Sequence, residues 1–453
     1  MSRSLEERVL SSVKPTAEET KRIESAVSTL LLKINDYASA RLSSLRIEPL
    51  LVGSVSKGTF MRNPDVDIFI RFPASLPRKD LEKKGVEIGM AVLDEPFLKY
   101  AEHPYVRGKY KGIAIDLVPC YSISDSARKM SAVDRTPFHT EFINRYMNDL
   151  EKDQVRLLKQ FFKGIGVYGA EARTHGFSGY LCELLILSYG SFIAVVEKGC
   201  GWTYRTVIVP PHAKLGEKLK ETDSCLIVPD PVDNERNVAA ALEKDSFALA
   251  VLAFRQYSAR PGLNFFFPGK VRRRSLSEIR KYIEESGHGL VVLRLPRPDI
   301  IDDNLYPQIS KAVKNLTRFL EEYGFEVNRT QAAADTEVRF AFEMKHRNHP
   351  SMWLREGPYG WSPNSVNFIE KHRKNGADVF ISDGRLYSET GREFRTPVEL
   401  LSKMIGSVSL GADIDGLKKK IIIESDSEAV TIENLEVLSG LLFHTFPWER
   451  DAS

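Results

Sequence analysis

Cysteine is scarce in this chain. The 453 residues hold only Cys120, Cys182, Cys200 and Cys225, and their spacing matches no zinc site. A disulfide-stapled scaffold and a structural zinc module are thereby excluded, and the pattern fits a reducing compartment. Cys120 and Cys182 lie in apolar segments and read as small core residues. An excess of either charge is also missing: 64 Lys and Arg stand against 61 Asp and Glu, for a net charge of +3. Any nucleic-acid surface must therefore come from local clustering of basic residues. No run is long and apolar enough to span a bilayer, and the opening Met1-Ser2-Arg3-Ser4-Leu5-Glu6-Glu7-Arg8 carries charge where a signal peptide is apolar. The expectation is a cytoplasmic protein with no membrane partner. There is no low-complexity tract and no internal repeat, and the length predicts about two to four domains.

What is present centres on Gly53-Ser54-Val55-Ser56-Lys57-Gly58-Thr59, followed by Asp65-Val66-Asp67-Ile68-Phe69-Ile70. An apolar run, Leu50-Leu51-Val52, feeds the Gly-Ser pair. Two aspartates one residue apart then open a second apolar strand. Strand side chains alternate, so Asp65 and Asp67 share a face and repel unless a cation sits between them. Hard oxygen ligands with room for water and phosphate suit Mg²⁺. Gly53 permits close backbone approach, while the Ser54 hydroxyl, nearby amides and Lys57 can hold polyphosphate oxygens. An Asp-x-Asp pair alone is commonly just two solvated side chains at a strand end. The combination with Gly-Ser and a lysine is the equipment of two-metal nucleotidyl transfer. Asp116, inside the apolar run Gly112 to Val118, is the candidate third carboxylate, because a buried unpaired charge there is costly unless a metal shares it.

The remaining pattern predicts an α+β, multidomain chain. Thr16 to Glu19 reads as a capping box opening an amphipathic helix with Ile23, Val27, Leu30, Leu31 and Ile34 on its buried face. A helix over Asp80 to Leu93 and strands over Tyr100 to Val106 and Lys111 to Val118 complete a mixed sheet with helices on one face, over residues 1–145. A helical neck follows over 146–260. In it, Glu151 to Gly164 carries Lys152, Arg156, Lys159 and Lys163 on one face, ordinarily a solvated one. Ser178 to Phe192 is apolar nearly all round, with Glu183 either paired or at its rim. His139 has two readings, a reach back to a triphosphate or a structural role. Arg236 with Asn237, opening a helix that runs to about Ser258, either reads a base edge or caps the turn after Asp230. Body and tail are expected over 261–453. Arg272, Arg273 and Arg274 beside Phe265, Phe266 and Phe267 suit an RNA backbone or a plain exposed loop. A β-α-β-β run near 288–346 resembles part of a ferredoxin-like or RNA-recognition module. It lacks the base-stacking aromatic signature, which predicts recognition of shape or backbone.

The Gly53 to Asp67 stretch resembles the nucleotidyltransferase superfamily that includes DNA polymerase β, poly(A) polymerase and the oligoadenylate synthetases. Further segments resemble the archaeal, class I CCA-adding enzymes more narrowly: Asp134-Arg135-Thr136-Pro137-Phe138-His139, Arg156-Leu157-Leu158-Lys159, Val167-Tyr168-Gly169-Ala170-Glu171, Gly176 to Glu183, Asp230-Pro231-Val232-Asp233 with Arg236-Asn237-Val238, and Pro298 to Pro307. The resemblance implies a polymerase-β-like head, a helical neck, an α+β body and a ferredoxin- or RRM-like tail. It implies Asp65, Asp67 and Asp116 as catalytic ligands of two Mg²⁺ ions. Ser54, Lys57, His139, Lys159 and Tyr168 are implied as contacts to the triphosphate and sugar of CTP or ATP, with Arg236 near the base. A tRNA acceptor stem and TψC arm are the implied partners, and a homodimer the implied assembly. The chain departs from the family pattern at Asp65, where relatives carry Glu, and at Lys57, where they carry Arg. The loop from Ser54 to Asp65 is also a residue shorter.

The implied activity is template-independent addition of C, C and A to a tRNA 3′ end with release of pyrophosphate. Two other readings stay open on sequence. One is a poly(A) polymerase or oligoadenylate synthetase sharing the head, and the other a non-catalytic RNA-binding protein on the same scaffold.

Overall fold

The computed structural model describes residues 4–100, 104–123, 133–272 and 274–450, with the side chain of Tyr100 excepted. The chain forms two compact units. One runs up to Val271 and resumes at Phe446; the other spans Arg272–Thr445.

In the first unit, α1 (Leu5–Val13) precedes α2 (Ala17–Arg41), whose cap is Thr16, its hydroxyl accepting from the Glu19 amide. The expected reciprocal box is not closed, because the Glu19 carboxylate accepts from the Asn63 amide instead. The strands β1 (Glu48–Val52), β2 (Val66–Pro73), β3 (Asp94–Tyr100), β4 (Pro104–Tyr110) and β5 (Ile113–Ser122) form one sheet in the order β1-β2-β5-β4-β3. Only β2 and β5 run parallel, so the sheet is mixed. The strand expected over Tyr100 to Val106 is instead the end of β3 and the start of β4, with residues 101–103 outside the described ones.

Alternation on β2 and β5 sets the site. Val66, Ile68, Ile70 and Phe72 of β2 and Ile113, Ile115 and Leu117 of β5 pack under Ile23, Leu30 and Ile34 of α2 and Leu81 and Ile88 of α4 (Arg78–Val92). Asp67 and Asp116 therefore project from the opposite face, directly paired in register.

A second core in the same unit joins α6 (Asp149–Gly164), α7 (Gly179–Tyr189) and the helix Lys244–Ala259 through Leu157, Leu158, Phe161, Phe162, Leu184 and Phe254. Trp448 belongs to it: the ring lies 5.3 Å from Phe265, and its indole N–H donates to Gln256 at 2.6 Å. Of the range 261–453 expected as body and tail, residues 261–271 and 446–450 fall in the first unit. Aromatic packing draws the segments before Arg272 and after Thr445 into the first unit. The single helix expected from Ser178 to Phe192 is broken at Gly190, φ +88°, and resumes as Phe192–Gly199 at 90° to α7. Arg236 and Asn237 do not open a helix either. They end a strand, β6 (Asp233–Asn237), because the Asn237 side chain accepts from the Val228 and Ala239 amides and donates to the Leu226 carbonyl.

The second unit contains β7 (Gly289–Pro296), β8 (Val327–Ala334), β9 (Glu337–Met344) and β10 (Ile422–Ser425) in the antiparallel order β8-β9-β7-β10. With the helix Asp302–Glu322 between β7 and β8 and the helix Pro397–Met404 before β10, this is ferredoxin-like topology. Those two helices cover one face. The helices Leu276–Ser286 and Leu435–Leu442 cover the other through Ile279, Ile283, Leu438 and Leu441. The face that RNA-recognition modules leave open for bases is filled with helix here, which accounts for its missing aromatics. A separate three-stranded sheet holds Met352–Tyr359, Asp378–Ser382 and Arg385–Gly391, its hairpin turning at Asp383 and Gly384 with φ of 44° and 74°.

Candidate active site

The carboxylates meet at the junction of β2, β5 and β4. Asp67 lies opposite Asp116, and Arg107 of β4 lies opposite Asp116 on its other side. The Arg107 guanidinium donates from Nη1 to Asp116 Oδ2 at 3.1 Å and from Nη2 to Asp65 Oδ1 at 2.7 Å. Asp65 is half-exposed, while the second Asp116 oxygen, Oδ1, is buried without a partner. Burial pushes the Asp67 carboxyl up to about 7, with repulsion from Asp116 adding and Lys57 opposing. Burial also raises Asp116, against the pull of Arg107.

Gly53 is required where β1 ends. Its φ is +71°, and a Cβ there would fall 2.1 Å from Asp67 Oδ2. The following residues form a one-turn helix, α3 (Gly53–Lys57), rather than an open loop. Lys57 is buried and meets Glu183 Oε2 of α7 at 2.5 Å. The Thr59 hydroxyl donates to Glu183 Oε1 at 2.5 Å, and Lys159 of α6 stands 3.6 Å from that oxygen while donating to Thr59 at 3.2 Å. Burial disfavours the Glu183 anion, yet Lys57 and Lys159 hold its carboxyl below the usual range. Burial lowers the Lys159 ammonium, against Glu183. The face of α6 expected to be solvated is instead partly interior: Lys159 is 2% and Arg156 6% exposed, and Arg156 donates to the Phe60 carbonyl at 2.8 Å.

A third cluster hangs on buried Asp230. It accepts from His139 Nε2 at 2.8 Å, Arg236 Nη1 at 2.9 Å, the Val232 amide at 3.1 Å and the Tyr180 hydroxyl at 3.2 Å. His139 stacks on Tyr180 at 4.0 Å, and Lys57 lies 5.5 Å above the same ring. Burial holds the imidazole below its ordinary range despite Asp230, so the proton on Nε2 is the one donated. Tyr168 is packed beside Gly179, with Lys163 5.4 Å from its ring, and burial keeps its hydroxyl protonated. His139 and Arg236 are thus both anchored by Asp230, in the cluster that Lys57 joins.

The structure thus brings Asp65, Asp67 and Asp116 together. Lys57 and Lys159 meet beside Ser54's one-turn helix, and His139 and Arg236 share Asp230. Arg272 and Arg274 belong to the second unit, where both pair with Glu278 at 3.4 and 3.0 Å and Arg274 stacks over Phe443. Arg273 lies outside the described residues. Sequence reasoning passed over Arg107, Asp230 and Tyr180. A strand arginine reads as surface until strand register is known. Asp230 stands between two prolines, where a turn role is the default.

The donor set fits a divalent cation. It offers hard oxygens on adjacent strands and a buried carboxylate oxygen with no partner. As they stand, no three such groups among the described residues converge to hold an ion.

Comparison with known proteins agrees over nearly the whole chain. Residues 32–139 match the model of a nucleotidyltransferase domain, residues 153–267 that of the second domain of tRNA nucleotidyltransferase, and residues 286–426 that of the C-terminal domain of CCA-adding enzyme. A CCA-adding enzyme of Archaeoglobus fulgidus is 38% identical over 396 residues, 87% of either chain. One of Thermoplasma volcanium is 36% identical over 422 residues, 93% of either chain. One of Halobacterium salinarum is 37% identical over 423 residues, 90% of either chain.

Proposed function

The chain belongs to the family of CCA-adding enzymes, tRNA nucleotidyltransferases, and we propose that its three carboxylates and the basic wall around Glu183 are where CTP and ATP react with the tRNA 3′ end. The observation that carries this is a paired imbalance of charge. Among the described residues, Asp65, Asp67 and Asp116 have one cation in direct ion-pair contact, Arg107, with Lys57 acting on Asp67 from further off. Lys57 and Lys159 have one anion in direct ion-pair contact, Glu183. Metal ions supply the missing positive charge at the first cluster and a triphosphate the missing negative charge at the second.

Asp65, Asp67 and Asp116 would hold two Mg²⁺ ions, which lower the pKa of the tRNA 3′-hydroxyl and offset charge on the triphosphate. Lys57, Lys159 and backbone amides near Ser54 hold the triphosphate so that the 3′-oxygen stands in line with the α-phosphorus. A P–O bond forms to that oxygen as the bond to the pyrophosphate oxygen breaks. The lysines stabilise the charge gathering on pyrophosphate. His139 and Tyr168 orient the sugar and phosphates. Asp230 presents Arg236 to the base, where its fork reads cytosine or adenine acceptors. The second unit and its basic residues hold the acceptor stem and TψC arm through shape and backbone. The assembly is a homodimer, and the setting is the cytoplasm.

The test is incorporation of labelled CTP and ATP into tRNA transcripts ending at the discriminator base, at C and at CC. CMP addition to the first two and a single AMP on the third is expected. AMP addition to all three without termination overturns the assignment in favour of a poly(A)-type enzyme, and no addition at all favours an RNA-binding protein.

A further inference from the structure

Arg107 has no part in the chemistry described above, yet it touches two of the three carboxylates. It sits on β4 in register with Asp116, and its two terminal nitrogens go to different partners, Asp116 at 3.1 Å and Asp65 at 2.7 Å. An arginine fork ordinarily grips one carboxylate with both nitrogens. Spread over two, it bridges Asp65 and Asp116, and Asp116 Oδ1 is left buried and unpartnered. Its side chain is 26% exposed, so it has a way out to solvent.

Resting on the reading that these aspartates bind metal, we propose that Arg107 is a built-in counter-ion of the carboxylate cluster, one that stabilises the metal-free site and competes with the divalent cation for Asp65 and Asp116. Three carboxylates gathered on one sheet face without a cation repel each other through a partly desolvated medium. The guanidinium removes much of that repulsion while the site is empty of metal. Entry of a cation exchanges one partner for another rather than relieving bare repulsion, so metal affinity is lower than the carboxylates alone would give. The released guanidinium is then free beside a substrate rich in phosphate.

A merely positioning arginine, one that holds the aspartates ready for metal, would give the opposite sign, and this makes the test decisive. Mn²⁺ binding is measured by electron paramagnetic resonance on the full chain without nucleotide, for the wild type, Arg107→Gln, Arg107→Lys and Asp116→Asn, alongside metal-free melting. Arg107→Gln is expected to bind Mn²⁺ roughly tenfold more tightly, the scale of one exchanged ion pair. It should melt lower without metal and gain more from saturating Mn²⁺ than the wild type does. Arg107→Lys, whose point charge cannot bridge both carboxylates, should fall between the two and serves if the glutamine variant does not fold. Unchanged or weaker Mn²⁺ binding in both arginine variants, with Asp116→Asn weakened, overturns the counter-ion proposal and leaves the metal site standing. Equal Mn²⁺ binding by the wild type and Asp116→Asn overturns the metal site, and the counter-ion with it.

Discussion

Two buried glutamates, one in each unit, solve the same problem differently. Glu183 on α7 is fully buried and gathers Lys57, Lys159 and Thr59. Glu343 on β9 is 1% exposed and gathers Arg329 at 2.6 and 2.9 Å, His288 at 2.9 Å and Tyr282 at 2.9 Å. Both carboxyls are held below the ordinary range: burial opposes each, and the surrounding donors overcome it. A perturbed pKa therefore does not separate the cluster proposed to hold substrate from the other. The balance of charge does. Around Glu343 one carboxylate meets one guanidinium, a phenol and an imidazole. Around Glu183 a second lysine is left over, close to the sheet face where carboxylates are left over.

The largest effect expected from breaking this contrast is at the surplus carboxylates. Asp67→Asn should lose several kcal/mol of transition-state stabilisation, about a thousandfold or more in CMP addition to tRNA. Its metal-free melting temperature should not fall, because a charge repelled by Asp116 has been removed.

Next come the two glutamates. Glu183→Ala should cost about 3–5 kcal/mol in denaturant unfolding, since it strands two buried cations, and Glu343→Ala less, since its partner Arg329 is part-exposed. Tripolyphosphate should recover much of the loss for Glu183→Ala and none for Glu343→Ala. Equal recovery, or none for either, would erase the distinction between a substrate wall and a structural pair.

A smaller change is expected from Gly53→Ala, at about 1–3 kcal/mol for a strained positive φ. Its activity loss should exceed what that instability explains, because the added carbon displaces the Asp67 carboxylate.

The least is expected from pH. Glu343 has its carboxyl lowered to about 2 from an ordinary 4.5. The folded value lies below the unfolded one, so its contribution is complete above pH 4.5 and drains away as pH falls toward about 2. An acid unfolding titration of Glu343→Gln should lack that limb.

Much of this site could be read before any coordinates. Period-two alternation puts Asp65 and Asp67 at the mouth of one strand, and an acidic residue in the apolar run around Asp116 demands a partner. The ferredoxin-like order was half legible. The β-α-β-β run gives β7 to β9, but β10 arrives after an inserted three-stranded sheet, of which the turn residues Asp383-Gly384 announce only the hairpin Asp378 to Tyr387. Arg107 was illegible because only the register of β4 against β5 brings it to Asp116. The helix expected to begin at Arg236 failed for a specific reason. Asn237 spends its side chain on three backbone groups, stabilising a strand end that residue preferences do not foresee. Arg272 and Arg274 read as free cations, yet Glu278 at the start of the next helix takes both.

The central claim is that surplus negative charge at Asp65, Asp67 and Asp116 and surplus positive charge at Lys57 and Lys159 are halves of one metal–triphosphate seat. Calorimetric titration of CTP, with and without Mg²⁺, into the wild type and Asp116→Asn tests it most directly. The account predicts that Mg²⁺ tightens CTP binding in the wild type and leaves the variant unmoved. CTP binding indifferent to Mg²⁺ in the wild type would contradict it.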